Sequence, residues 1–259
     1  AVSAGRLVLL PIEPSMDDYQ YILQYSEIWQ GYAKTIFYTV AGTSLNIFFT
    51  LPCSYALSRR DMPDRGLLMT LFVITMYFSG GMIPTYINMM SLGLLNSRWA
   101  ILLSGLVSTY NLIVARTYFT QSIPWELHEA AFLDGCSDFG TFLKIVLPLS
   151  APITVVLTLY YGVGHWNSYF NAMIYLQDRS KYPLQLFLRE ILMLSQFQAE
   201  AMAEGGYPIE QMNEMVTQLD TANMIKYCVI VVSTAPMLII YPFLQKYFEK
   251  GVMIGAVKG

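Results

Sequence analysis

Two groups of residues combine types that could do work together. In the first, Glu129, Ala130 and Ala131 are followed by Asp134 and Gly135, then by Ile145, Leu147 and Pro148, all in one mostly polar stretch between apolar segments. Leu127 lies three and four residues before the two alanines, so the three share a helical face. That face puts small side chains beside a carboxylate, where another protein can come close to the backbone. Phe132, Phe139 and Phe142 add apolar anchors. In the second group, His165-Trp166-Asn167-Ser168-Tyr169-Phe170-Asn171 sets polar and aromatic groups inside an apolar segment. Polar side chains at such depth face a bundle interior or a cavity, and Asn167 and Asn171, at i and i+4, share one face of a helix. The same groups also suit hydrogen bonding between packed helices, and both readings stand at this point. Covalent and metal chemistry are poorly served. His128 and His165 are the only histidines, and neither has neighbours at ligand spacing. The three cysteines, Cys53, Cys136 and Cys228, match no metal or disulfide pattern. Ser168 follows His165 by three residues, one helix turn, with no Gly-x-Ser-x-Gly or His-Glu-x-x-His around it to support a membrane-embedded hydrolase.

The elements that must carry these groups are membrane spans. Of 259 residues, 55% are hydrophobic and 13% charged, against about 25% charged in soluble domains. Five segments reach the roughly 20 mostly apolar residues that cross a bilayer: 33–57, 67–87, 99–118, 149–172 and 224–244. All five are expected to be helices, because lipid leaves no other partner for the backbone polar groups. Ser79-Gly80-Gly81 and Pro84 interrupt the second, and Pro236 and Pro242 the last. The short turn 58–66 carries Arg59, Arg60 and Arg65, which places it in the cytoplasm. Alternation then puts 119–148 and the tail 245–259 in the cytoplasm, with 1–32, the turn 88–98 and the loop 177–222 outside. An odd number of spans with an external start asks for a sixth span ahead of Ala1. The net charge of −3 gives nucleic acid no purchase.

The loop 119–148 reads as two short helices. Pro124 suits a first helical position, Glu126 and Glu129 fall in the first turns, where negative charge is favoured, and Gly135 suits a C-terminal cap. Ser137 or Asp138 can cap the second helix, and Pro148 marks the start of the next span. With Glu129-Ala130-Ala131, then Gly135, Ile145, Leu147 and Pro148 at these intervals, the loop resembles the EAA motif of ATP-binding-cassette importer permeases, matching its spacing at every motif position. Ile123-Pro124-x-Glu126-Leu127, Leu147-Pro148-Leu149 and the ending Gly251 to Gly259 resemble the sugar-importing, maltose-permease-like branch. Phe78-Ser79-Gly80-Gly81-Met82-Ile83-Pro84-Thr85-Tyr86, His165-Trp166-Asn167 and Tyr182-Pro183-Leu184-Gln185 are similar to permeases for polysaccharides and complex oligosaccharides, including alginate oligosaccharides. The similarity runs from about residue 20 to the end.

The resemblance implies an all-α type I importer transmembrane domain, non-catalytic, multi-pass in the bacterial cytoplasmic membrane, with a C-terminus in the cytoplasm. The family normally has one more helix ahead of the segment that starts here, in agreement with the sixth span the topology asks for. A second, homologous permease completes a heterodimeric pathway. Two ATPase subunits hold the ATP and Mg2+, none of which this chain binds, and a solute-binding protein delivers the cargo from outside. Glu129 is the implied partner of an ATPase arginine, with a guanidinium meeting the carboxylate in a bidentate bond, and Gly135 allows the turn between the two coupling helices. The tail, with Gly255, Lys258 and Gly259, is implied to reach between the ATPase subunits. His165, Trp166, Asn167, Tyr169 and Asn171 become candidates for an oligosaccharide path, because sugars offer hydroxyls and apolar ring faces. The loop 177–222 is implied to meet the binding protein. An importer of the same architecture for amino acids or ions is the other function this loop allows.

Overall fold

The computed structural model describes residues 26–204, together with 230, 231, 233–239 and 242. The tail residues Gly255, Lys258 and Gly259, the stretch 205–222 of the expected outer loop and most of the expected fifth span lie outside the described residues. Among those described, every regular element is a helix.

Helix α1, Ser26–Ser58, organises the rest. It packs against α4 (Arg98–Leu103), α5 (Thr109–Ser122), α9 (Ala151–Trp166) and α11 (Leu184–Glu204). Its buried stripe runs Ile28, Gly31, Thr35, Tyr38, Gly42, Asn46, Thr50 and Ser54, at intervals of three and four residues. Most of that stripe is small or polar, while Ile36, Phe37, Val40, Phe48 and Phe49 face outward. In water this pattern would be inside out. In lipid it is the stable arrangement, because outward apolar groups cost nothing and small inward groups let helices approach closely. At Gly42 a Cβ atom would stand 2.5 Å from the His165 ring, and at Gly31 3.1 Å from the Leu184 backbone.

The expected spans are more broken than their apolar runs suggest. Among the described residues only α1 is by itself long and apolar enough to cross a membrane. The second span is two helices, α2 (Arg65–Tyr77) and α3 (Met82–Ser91), bent by 113°. Gly81 makes the bend at φ 85°, a conformation open to glycine. The third span is interrupted over 104–108, where Gly105 takes φ 73°, and resumes as α5. The fourth begins at Ala151, after an 82° bend, and α9 ends at Trp166, before the one-and-a-half-turn α10 (Phe170–Tyr175). Asn167 and Asn171 therefore lie on different elements and do not share a helical face.

Within the expected outer loop, residues 184–204 form helix α11. Leu184, Leu186, Phe187 and Leu188 are buried there, and Thr35 of α1 accepts a hydrogen bond from the Leu184 N–H at 2.8 Å.

Two ends of the molecule separate cleanly. At one, the arginine turn meets the 119–148 loop through Arg59 and Asp138. At the other, Arg179 pairs with Glu27 and Glu190 at 3.2 and 3.1 Å. There Asn96 Oδ1 also accepts from the Gln177 and Asp178 N–H groups, and Lys181 Nζ donates to the Asn96 carbonyl. The arginine turn and the 119–148 loop thus share one side, and the 88–98 turn and residues 177–181 share the other.

Candidate coupling surface and helix breaks

The 129–148 stretch is built as a displayed helix on a fixed base. Helix α6 runs Trp125–Leu133. Pro124 sits one place ahead of it, at the N-cap rather than the first helical position, because its ψ of 143° is extended. The helix ends in a Schellman arrangement: Gly135 N–H donates to Phe132 O at 3.0 Å and Cys136 N–H to Ala131 O at 2.9 Å, with Gly135 at φ 74°. Ser137 then caps α7 (Asp138–Thr141), its Oγ accepting from the Gly140 N–H at 3.2 Å. A π turn, Phe142–Val146, follows and closes with Leu147 N–H on Phe142 O. It leads into α8 (Leu147–Leu149), which holds Pro148.

The outward face of α6 carries Glu126, Glu129 and Ala130, all exposed, with Phe132 80% and Leu133 85% exposed. An apolar ridge at a charged rim is of the kind that contacts a protein or a membrane surface. Two expectations are corrected. Ala131 is 2% exposed and faces the chain's own bundle, so only Ala130 is free for a partner. Phe142 is buried and stacks on Tyr55 at 5.1 Å, so it anchors the loop to α1. Asp134 and Gly135 are exposed, and Ile145 and Leu147 are half-buried.

Beneath the ridge, His128 stacks between Trp125 at 5.0 Å and Tyr55 at 5.7 Å. Both ring nitrogens are buried, close to the Pro124 and Trp125 backbone. Burial pushes the imidazole below its ordinary value, against a smaller upward pull from the Pro124 backbone. Arg59 hydrogen-bonds Asp61 through Nε at 2.8 Å and again through Nη2. This holds the Asp61 carboxyl below the usual carboxylate range.

The second candidate group sits where two helix breaks come together. Asn46 Nδ2, from α1, donates to the carbonyls of Gly105 and Leu106 at 3.2 and 2.7 Å. With its amide donating there, Asn46 Oδ1 must accept, so His165 Nε2 carries the proton of their 2.7 Å bond. Tyr161 Oη accepts from the Ser108 N–H at 3.0 Å and shares a hydrogen bond with Thr50 at 2.8 Å. Backbone groups freed by the 104–108 break are thus met by side chains from neighbouring helices, as lipid requires.

The five path candidates do not line up on one open face. His165 is held by Asn46. Trp166 is 5% exposed and donates to the Ser233 carbonyl at 3.1 Å. Asn167 turns back to the Val163 carbonyl at 3.0 Å, and Asn171 reaches Ser104 Oγ at 3.2 Å. Tyr169 lies under the Arg189 guanidinium at 4.7 Å. Ser168 meets His165 through a backbone bond to the His165 carbonyl. Trp166 and Asn167 also line an apolar groove of about 790 Å³ between α1, α9 and residues 233–239. Sequence reading passed over Asn46, Gly42 and Tyr55, and used Arg59 for orientation alone. A lone asparagine inside an apolar span was the available signal for the first.

Residues 28–254 match the family described as binding-protein-dependent transport system inner membrane component. The chain is 43% identical over 261 residues to the polygalacturonan/rhamnogalacturonan transport system permease protein YtcP of Bacillus subtilis (strain 168), covering all of this chain and 87% of that one. It is 41% identical to protein LplC of the same organism, over 97% of this chain and 81% of the relative. Among solved structures, it resembles a chain from a bacterial ABC transporter involved in the import of the acidic polysaccharide alginate. That likeness has a TM-score of 0.81 and 35% identity, and covers 96% of this chain and 85% of the other.

Proposed function

The chain belongs to the family of binding-protein-dependent transport system inner membrane components, and from that premise we propose that it is a permease subunit of an ATP-driven importer of oligosaccharides. It sits in the bacterial cytoplasmic membrane with its 119–148 loop and C-terminus on the cytoplasmic side. A second permease forms the other half of the pathway. Two ATPase subunits bind and hydrolyse ATP with Mg2+, a solute-binding protein delivers cargo from outside, and this chain catalyses no reaction. The names of two relatives, one for polygalacturonan and one for alginate, favour acidic sugar oligomers as the cargo.

The observation that carries the proposal is the ridge on α6. Glu129, Ala130, Phe132 and Leu133 face outward from a helix whose other side is packed against the end of α1. A carboxylate beside an apolar knob suits a cleft with an arginine at its rim. Closure of the ATPases on ATP would rock this loop, and the spans joined to it would switch access. The breaks at 104–108 and 167–169 are where such spans can line a polar path, with His165, Trp166, Asn167, Tyr169 and Asn171 around them.

The test is uptake into proteoliposomes holding this chain, its partner permease and the ATPases, with the binding protein supplied. Labelled acidic oligosaccharides, neutral oligosaccharides, amino acids and phosphate are offered in turn. ATP-dependent accumulation of an oligosaccharide is expected. Accumulation of an amino acid or ion alone would replace the sugar reading, and turnover of a substrate without ATPases would replace the importer reading.

A further inference from the structure

We propose that Arg59 is a positioning residue for coupling: it latches the 129–148 loop to α1 through Asp138, so that movement of the loop moves α1. The proposal rests on the importer reading and goes beyond it, because it concerns how motion leaves the loop rather than how the loop meets its partner.

Arg59 directly follows the last residue of α1. Its Nη1 donates to Asp138 Oδ1 at 2.6 Å, across 79 positions of sequence. The same nitrogen lies 3.4 Å from Tyr55 Oη, and Nε and Nη2 fork onto Asp61. The Arg59 carbonyl accepts from Arg65 Nη1 at 3.1 Å, which ties in the start of α2. The guanidinium is therefore fixed on three sides, and the side chain is only 16% exposed. A rigid planar fork held in this way transmits position, which a flexible ammonium would not.

Both short helices of the loop are gripped at this point. Tyr55, one turn before Arg59, stacks on His128 of α6 and on Phe142, just past α7. Asp138, the first residue of α7, takes the Arg59 charge. The partner-facing ridge is on the opposite side of α6. A push on that ridge therefore reaches α1 through an aromatic stack and one ion pair. Thirteen residues further up α1, about 20 Å along a helix, Asn46 holds the carbonyls of Gly105 and Leu106 and the ring of His165. One helix thus touches both the loop and the breaks.

Asp138 is 82% exposed, so the pair contributes little to stability and its loss is expected to leave assembly intact. The test is a double-mutant cycle in reconstituted complexes, read as sugar taken up per ATP hydrolysed. Arg59→Gln and Asp138→Asn are each expected to lower that ratio about fivefold or more, and the double variant no further than the worse single. Arg59→Lys, which keeps the charge and loses the fork, should restore it only in part. Wild-type ratios in both single variants would overturn the latch, as would losses that simply multiply in the double variant. If Arg59→Gln fails to assemble, Asp138→Asn alone decides: a wild-type ratio overturns the latch and a lowered one supports it. A wild-type complex that takes up no oligosaccharide would overturn the importer reading itself, which is a different result from a coupled wild type with equally coupled variants.

Discussion

Glu129 and Gly42 show how differently single residues are written in the sequence. Glu129 is legible because its setting is local: a helix start, a glycine cap six residues on, and nothing that depends on distant chain. The structure leaves it exposed on the outward face of α6. Gly42 is one glycine in an apolar span, and only the fold brings the His165 ring to 2.5 Å from where its Cβ would stand. Gly42→Ala is expected to push that ring off Asn46 and to destabilise the bundle by about 1–3 kcal/mol, read as a lowered melting temperature in detergent. Asn46→Ala removes the donor to two carbonyls and the acceptor of His165. Unsatisfied buried groups cost about 1–3 kcal/mol each, so this variant is expected to be the less stable of the two. Equal stability with wild type would show that water or lipid headgroups reach the break.

Among the elements, α6 and its cap were readable because every determinant lies within a dozen residues, and the Ser79-Gly80-Gly81 bend because glycines announce it. The breaks at 104–108 and 167–169 were not. The backbone groups freed at 104–108 are met by Asn46 and Tyr161 from other helices, and no window of local sequence contains both sides of those bonds. Helix α11 was hidden for a related reason: a stretch assigned outside the membrane by alternation was taken as loop, although its leucines pack on α1. Two expectations belong at this scale. Gly135→Ala forces a side chain into φ 74° at about 1 kcal/mol, and should raise hydrogen exchange over 125–148 without unfolding the spans. The imidazole of His128 is held below its ordinary value of 6.5, so the folded loop binds fewer protons than the unfolded one. Its packing is favoured above about pH 6.5 and lost as pH falls through the lowered value. Protection over 125–142, taken relative to the intrinsic exchange rate at each pH, should therefore fall on acidification, and His128→Phe, which keeps the stack and cannot titrate, should abolish the fall.

For the whole molecule, the composition announced a membrane protein and the structure explains how it is one: α1 turns its small and polar stripe inward and its phenylalanines outward. Three arginines in a short turn put that turn and the 119–148 loop on one side by alternation, and the Arg59–Asp138 pair brings the two segments together. The route of the cargo was less legible, because the residues first grouped as a path are divided by a helix end and bonded within the bundle. Coupling of this permease to ATPases through the outward ridge is read most directly as ATP-dependent oligosaccharide uptake by reconstituted complexes carrying Glu129→Ala, with ATPase content checked in the same vesicles. Loss of a charge-assisted interface bond of about 1.5–3 kcal/mol is expected to lower uptake about tenfold or more while the spans remain folded. Wild-type uptake by a fully assembled Glu129→Ala complex would contradict it.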